Sequence, residues 1–468
     1  MRIAVIGAGP AGMTAALQLS RGGVEVDVYE SGPCVGGLSR SLNLWGQRVD
    51  LGPHRFFSTD ARVNQLWLDV LGQEYAMIDR LTRIYYKRRF LHYPLKPLNA
   101  FRNMGLLDAS SCLVSYLKEQ LRPGFPSTND MSFESWIVSR FGRRLFDTFF
   151  RPYSEKLWEV PCSELSADFA AQRIKKLSVF EAVKSALSPH SRRRHKTLVE
   201  RFPYPLGGAG AVYEKMADRL RENGGRVHLQ CPVQRILHEG FDIKGIELPN
   251  GREEHFDHVV STMPLTDLVS GLTDIPEDVR DAADGLRFRN TIFVYLHVDS
   301  DSLFADQWLY IHDPDLKMGR VTNFRNWVPQ LYGETRTTIL AIEHWCNDSD
   351  PIWTAPDERL IEQATRELRS TMLLRDEPII AGHVIRARRC YPIYLRGYRE
   401  RIDRIANYLH NFRGLTPIGR GGTFKYNNQD HSILMGMLAA ENLLDNRAHD
   451  LWNVNTDHDT YQEDELIT

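Results

Sequence analysis

The first thirty residues restrict the fold more than any other stretch of the chain. Arg2–Ile6 is a short apolar, β-branched run, which suits a parallel strand buried on both faces. It runs into GAGPAG, which sets Gly7, Gly9 and Gly12 at GxGxxG spacing. MTAALQLSRGG then reads as a helix, and VEVDVYES as a second strand ending in Glu30. In such a unit Gly7 permits the tight turn, Gly9 lets the backbone approach a pyrophosphate, and Gly12 lets helix and strand pack closely. The helix start, at Pro10 and Ala11, offers free N–H groups and a positive dipole end to phosphates. Glu30 is placed to accept hydrogen bonds from an adenosine ribose. The expected fold class is α/β, with a Rossmann-like dinucleotide site at its head.

Two later segments bear on which dinucleotide binds. After Glu30, SGPCVGGLSRSL carries Gly36-Gly37, Leu38, Ser39 and Arg40 in a second glycine-rich loop. Many FAD proteins have such a loop beside the pyrophosphate, and plain NAD dehydrogenases generally do not. Far downstream, LTPIGRGGTFKYNNQDHSILMGMLAAENLL puts a strand-like Leu415–Ile418 before Gly419-Arg420-Gly421-Gly422, with an amphipathic helix beginning near His431. That has the form of a C-terminal FAD segment, in which Arg420 lies near the phosphates or the flavin edge and Asn428 and Ser432 lie by the helix start. CPVQRI (Cys231–Ile236, with Val233) and HVVSTMPL (His258–Leu265) read as intervening strands of a discontinuous FAD domain. No second strand–GxGxxG–helix unit is visible, which argues against a separate nicotinamide domain. The expected cofactor is FAD.

The bulk numbers exclude several classes. A chain of 468 residues exceeds what one core usually serves, so two or three subdomains are expected. A formal net charge of -2 gives no field favouring nucleic acid or an anionic membrane. The basic run SRRRHK (Ser191–Lys196) reads as a solvated loop. The six cysteines form no CxxC pair, which speaks against a zinc or dithiol centre and for reduced thiols in a cytoplasmic protein. No apolar run reaches the ~18 residues of a membrane span, and the opening strand leaves no room for a signal peptide. No convincing metal site or catalytic triad is visible.

With the FAD segments in place, the chain resembles the broad amine oxidase and protoporphyrinogen oxidase group, and its middle resembles the UDP-galactopyranose mutases, the eukaryotic type in particular. FRPYSEKLWEVP followed by DFAAQRI sets Trp158 and Arg173 at the family's spacing. WLYIHDPDLKMGR does the same for Tyr310 and Arg320. RRCYPIY supplies Tyr391, KYNNQDHS supplies Tyr426 and Asn428, and GPHRFF matches a glycine–glycine–histidine segment. The likeness spans roughly residues 1 to 445. It implies His54 at the reactive flavin edge, Arg173 and Arg320 on a nucleotide diphosphate, and Tyr93, Trp158, Tyr310, Tyr391, Tyr426 and Asn428 around the substrate. Arg matches phosphate oxygens with a planar fork. The implied activity is pyranose–furanose interconversion of a nucleotide sugar through a reduced-flavin N5–sugar adduct, with NADPH or NADH as reductant. The base-binding segment, Tyr93-Pro94-Leu95-Lys96, stands where the family reads approximately Tyr-Pro-Phe-Gln, so base and sugar stay open. Trp158 also suits a core anchor, and each Tyr ordinary packing.

Three domains are expected. A discontinuous Rossmann-like FAD-binding domain takes residues 1–57, 202–285 and 405–444. A helical insertion domain takes 100–200, with Ser188–Lys196 as a flap. A mixed β-sheet substrate domain takes 58–99 and 286–404, and an acidic tail follows at 446–468. Two other readings stay open: a net oxidase or desaturase of the protoporphyrinogen oxidase or amine oxidase kind, and a non-catalytic flavin-binding partner protein.

Overall fold

A computed structural model describes residues 1–93, 106–121, 131–168 and 201–454. Arg173, Leu95, Lys96, the Ser188–Lys196 stretch and the end of the acidic tail lie outside the described residues. The chain divides into two compact units, one of Met1–Ile78, Phe202–Arg287 and Tyr398–Thr468, the other of Asp79–Arg201 and Phe288–Gly397. Helix Ala61–Leu71, in a segment expected to join the substrate sheet, thus belongs to the first unit. The expected helical and sheet segments share the second.

The first unit is built on a five-stranded parallel sheet in the order Leu415–Pro417, His258–Ser261, Arg2–Ile6, Glu25–Tyr29, Arg226–His228. Three distant parts of the sequence therefore meet at its centre. The apolar run of Arg2–Ile6 packs in a core with Val26, Val28, Val260, Ile418 and Ile433. Helix Pro10–Arg21 lies against helix Gln429–Leu444 so closely that a Cβ on Gly436 would fall 2.5 Å from the Ala11 carbonyl oxygen. One expectation needs correcting. Cys231–Gln234 is not a strand, and the β-structure starts at Arg235. Pro232 has no N–H to give a ladder. The chain instead passes the turn that follows strand Glu25–Tyr29, where the Gln230 and Cys231 N–H groups donate to the carbonyls of Gly32 and Glu30.

The second unit carries a seven-stranded mixed sheet in the order Ile379–Ile393, Arg287–Val298, Thr338–Cys346, Arg320–Asn323, Trp308–Ile311, Thr82–Tyr86, Arg89–His92. Side chains alternate between its faces. Ile292, Val294, Leu309, Val321, Leu340 and Ile342 join a core with Leu360, Ala364 and Leu368 of helix Asp357–Thr371. The interleaved Tyr310, Arg320 and Glu343 fall on the opposite face. Ahead of helix Arg151–Trp158 the chain widens into a π-helical turn at Phe146–Phe150. Pro152 cannot return an N–H to the preceding turn, and the wider turn absorbs the missing bond. Among the described residues no helix is long and apolar enough to cross a membrane.

Candidate functional site

In the first unit the three glycine segments form a cradle. Gly7 has φ +93° and donates its N–H to the Tyr29 carbonyl at 2.8 Å. A Cβ on Gly12 would lie 1.9 Å from the Gly7 carbonyl oxygen, so the close approach of helix to turn forbids any side chain there. Gly9 is different. Its φ is -74° and an added Cβ would meet nothing closer than the Gly37 Cα at 3.8 Å. The protein itself has room for a side chain at this position, and the space is open to a phosphate. No side chain caps helix Pro10–Arg21, which leaves its first N–H groups to a ligand.

The other loops close on this one. Gly36 donates to the Ala8 carbonyl, and a Cβ on Gly37 would lie 3.0 Å from the Gly9 Cα, so the two glycine loops touch backbone to backbone. Leu38 is half-buried and Ser39 buried in the same turn. A Cβ on Gly419 would lie 3.0 Å from the Ala11 Cβ. Glu30 accepts from the Ala8 N–H through Oε2 and from the Gly32 N–H through Oε1, both at 2.7 Å, with the Ser31 hydroxyl also on Oε1 at 3.4 Å, and Oε2 keeps a second lone pair. Arg420 donates to the Asn427 carbonyl at 2.8 Å and lies over the Tyr426 ring at 4.1 Å. The Asn428 side chain caps helix Gln429–Leu444 in a reciprocal box with His431, and Ser432 is buried in the first turn. These segments fit a dinucleotide with two phosphates.

His54 is half-buried, with Nδ1 3.2 Å from the Gly52 carbonyl oxygen. Phe56, two residues on, is a core residue stacked on Trp67 at 4.5 Å. Val233 is half-buried in the extended segment leaving Glu30.

In the second unit Tyr310, Arg320 and Tyr391 come together although 81 positions separate the first from the last (391 less 310). Tyr310 and Arg320 are direct partners on adjacent strands, as are Arg320 and Glu343. Arg320 reaches the Tyr391 hydroxyl at 3.4 Å. Tyr93 packs on Tyr310 at 5.0 Å, and Trp158 packs edge-on to Tyr391. Trp158 is 1% exposed, so it acts on this face as a core anchor behind Tyr391. Arg320 departs from the expected free fork. Its Nε and Nη2 are spent on the two oxygens of Glu343, both at 2.6 Å. Burial works against the guanidinium's charge, but Glu343 outweighs it and holds the group well above its ordinary range.

Three residues of this face escaped the sequence reading. Glu343 is the sole acid in the buried strand TILAIEHWC, and a lone carboxylate in such a run is a signal of a buried partner. Trp345 lies where a Cβ on Gly319 would be, 2.0 Å from its ring. Tyr153 stacks on His312 at 4.0 Å and meets Tyr310 and Trp345 edge-on. Only the fold brings Tyr153 to the sheet, so its sequence context carries no mark. Nearby, burial pushes Lys156 down to about 8 while its Nζ donates to the Ile311 and Asp313 carbonyls, pinning the turn between Tyr310 and Arg320.

The pattern of the flavin containing amine oxidoreductases matches residues 10–385. The chain belongs to this family. Membership implies FAD as the cofactor, in keeping with the cradle. Among curated proteins, 4,4'-diapophytoene desaturase (4,4'-diapolycopene-forming) of a Methylomonas species is 23% identical over 285 residues, 55% of this chain and 52% of that protein. The chain spans about half the length of the curated relatives it matches. Among solved structures, reduced UDP-galactopyranose mutase superposes with a TM-score of 0.84 at 23% identity, covering 98% of each chain. A putative protoporphyrinogen oxidase from Exiguobacterium sp. 255-15 gives 0.74 at 17% identity, covering 95% of this chain and 99% of that one. Both likenesses establish a shared fold. No mutase is among these curated relatives, which are carotenoid desaturases and prolycopene isomerases; this departs from the mutase expectation and leaves flavin-dependent oxidoreductase as the family-level assignment.

Proposed function

We propose that the protein is a flavin-dependent mutase that interconverts pyranose and furanose forms of a nucleotide diphosphate-sugar. The observation that supports this most is the gathering of Tyr310, Arg320 and Tyr391 on one sheet face, from three separate segments. Bound FAD, reduced by NADPH or NADH, would supply an electron-rich centre for attack on the sugar's anomeric carbon. The chain's own residues then have three tasks. Arg320 holds the anionic diphosphate through Nη1, the nitrogen that Glu343 does not engage. The Tyr310 and Tyr391 hydroxyls donate to phosphate or sugar oxygens from rigid rings. Tyr153, Trp158 and Trp345 wall the face and exclude water. Because Glu343 offsets the charge of Arg320, a second cation is needed for the diphosphate, and Arg173 is assigned that part.

A second reading has specific support. An Arg–Glu pair with little net charge also suits a face that meets an uncharged substrate, and the Methylomonas relative reported above is a desaturase. Under it the protein is a net FAD-dependent oxidoreductase. Incubating the chemically reduced protein with a panel of nucleotide sugars, then determining product mass and ring form, separates the two. A product of unchanged mass and altered ring size supports the mutase. No conversion of any sugar, together with reduction of the oxidised protein's flavin by an apolar polyene in a parallel anaerobic incubation, supports the oxidoreductase.

A further inference from the structure

A fourth segment, placed above in the FAD-binding domain but given no part in the cradle, ties the second glycine loop and the C-terminal segment together. It is the turn and helix of RFPYPLGGAGAVYEKMADRL, with strand Arg201–Pro205 leading through Gly207, Gly208 and Gly210 into helix Ala211–Glu222. Two buried polar groups join it to the cradle. The first is Asp50, which is fully buried. Its carboxylate accepts from the Ser41 hydroxyl at 2.6 Å, the Tyr204 hydroxyl at 2.7 Å and the Ala209 N–H at 3.1 Å. The Ser41 oxygen in turn accepts the Gly210 N–H at 2.8 Å. Ser41 directly follows the second glycine loop, Gly36–Arg40. There is no room for slack in this junction. A Cβ on Gly210 would lie 2.4 Å from the Ser41 nitrogen, and one on Gly208 would lie 2.5 Å from the Ser41 oxygen. The second group is Tyr213, in the first turn of the helix and also fully buried. Its hydroxyl donates to Gln429 Oε1 at 2.7 Å, with the Ser39 side chain close enough to act on it electrostatically. Ser39 lies in the second glycine loop, and Gln429 opens the helix that follows the GRGG turn.

We propose that Asp50 and Tyr213 are positioning residues of the cofactor cradle, setting the register of the second glycine loop against the C-terminal flavin segment. Packing alone does not ask for these groups. An apolar residue would fill either site without a desolvation cost. Burial pushes the Asp50 carboxyl up to about 6 in spite of its hydrogen bonds, and the guanidinium of Arg48 is engaged with Glu214. What the polar groups add is direction, since each hydrogen bond fixes one backbone segment relative to another. The hydrogen bonds run Asp50–Ser41–Gly210 on one side of the turn and Tyr213–Gln429, beside Ser39, on the other. Ser41 follows the Gly36–Arg40 loop and Gln429 follows the Gly419–Gly422 turn, the two segments whose Gly37 and Gly419 close on Gly9 and Ala11. The inference rests on FAD binding as the family implies it, and holds for a mutase or a desaturase alike.

The test uses the holoprotein and reads the flavin directly. FAD release after dilution is followed by flavin fluorescence, and the geometry of the site by visible circular dichroism. Far-ultraviolet dichroism monitors the fold. Tyr213→Phe and Ser41→Ala each delete one hydroxyl without changing shape much, and Asp50→Asn removes the charge. Each should release FAD roughly three- to tenfold faster, the loss of about one hydrogen bond, and alter the visible dichroism while the far-ultraviolet signal holds. Wild-type release and dichroism in both hydroxyl variants overturn the proposal, whether or not Asp50→Asn folds. So does faster release that only accompanies loss of the far-ultraviolet signal. Lack of FAD in the wild-type protein would be a different failure, that of the cofactor assignment itself.

Discussion

Arg320 and Glu343 stand opposite each other on adjacent antiparallel strands, and the guanidinium gives Nε and Nη2 to the two carboxylate oxygens at 2.6 Å. Glu343 is fully buried and Arg320 keeps 17% of its side chain exposed. The pair therefore fixes the Nε and Nη2 edge of the fork. Its geometry also separates the two roles of the arginine, which can be measured apart.

Removing one member of a buried pair leaves the other uncompensated. Glu343→Ala should lower stability by about 3–5 kcal/mol. Urea unfolding of the variant checks this, and a loss under ~1 kcal/mol would be what an exposed pair gives.

Arg320→Ala should weaken binding of a free nucleotide diphosphate about ten- to a hundredfold, the loss of one charge-assisted contact of roughly 1.5–3 kcal/mol. Arg320→Lys should recover only part, since it keeps charge but not the fork. Titrations followed by flavin fluorescence report both, with FAD content as the control.

Two of the three glycines of the first loop, Gly9 and Gly12, should behave oppositely. Gly12→Ala drives a Cβ into the Gly7 carbonyl and should unfold or severely destabilise the first unit. Gly9→Ala meets no protein atom closer than 3.8 Å, so it should fold with wild-type secondary structure yet emerge depleted of FAD. The absorbance ratio of flavin to protein after purification decides it. Full FAD content in Gly9→Ala would mean that no phosphate approaches there.

Acid stability should depend on Asp27, buried at the sheet end. Burial would raise its pKa, but hydrogen bonds from Arg226, Arg2 and His228 outweigh that and hold it below the usual range. A lowered pKa contributes stability that is fully present above the unfolded value, about 4. It is lost as the pH falls through the lower folded one. The stability gap between wild type and Asp27→Asn should thus be constant near neutrality and narrow below pH ~4. A gap that widens on acidification would contradict the assignment.

The cradle was legible in the sequence because glycine spacing, an apolar strand and a terminal acid are local marks of one local unit. Tyr310 and Arg320 were singled out only through a family resemblance; their pairing on neighbouring strands is set by the sheet register. Glu343, Trp345 and Tyr153 were not, because their significance lies in partners that only the sheet register and the π turn before Pro152 bring near. Cys231–Gln234 was misjudged as a strand because a run with Val233 looks β-like until Pro232 is asked for an N–H. The Asp50 and Tyr213 contacts were invisible for the same reason as Glu343. Each joins segments about 160 to 220 positions apart, as the Ala209 and Gln429 contacts do, and no pattern within one segment records a partner in another.

The central claim is that turnover needs reduced flavin but consumes no reductant. The direct measurement is anaerobic turnover of a nucleotide sugar by protein given a single stoichiometric dose of reductant. The account predicts many furanose products per electron pair, with the flavin still reduced at the end. Reoxidation of the flavin in step with a single product per electron pair, or conversion by the oxidised protein with release of hydrogen peroxide, would contradict it.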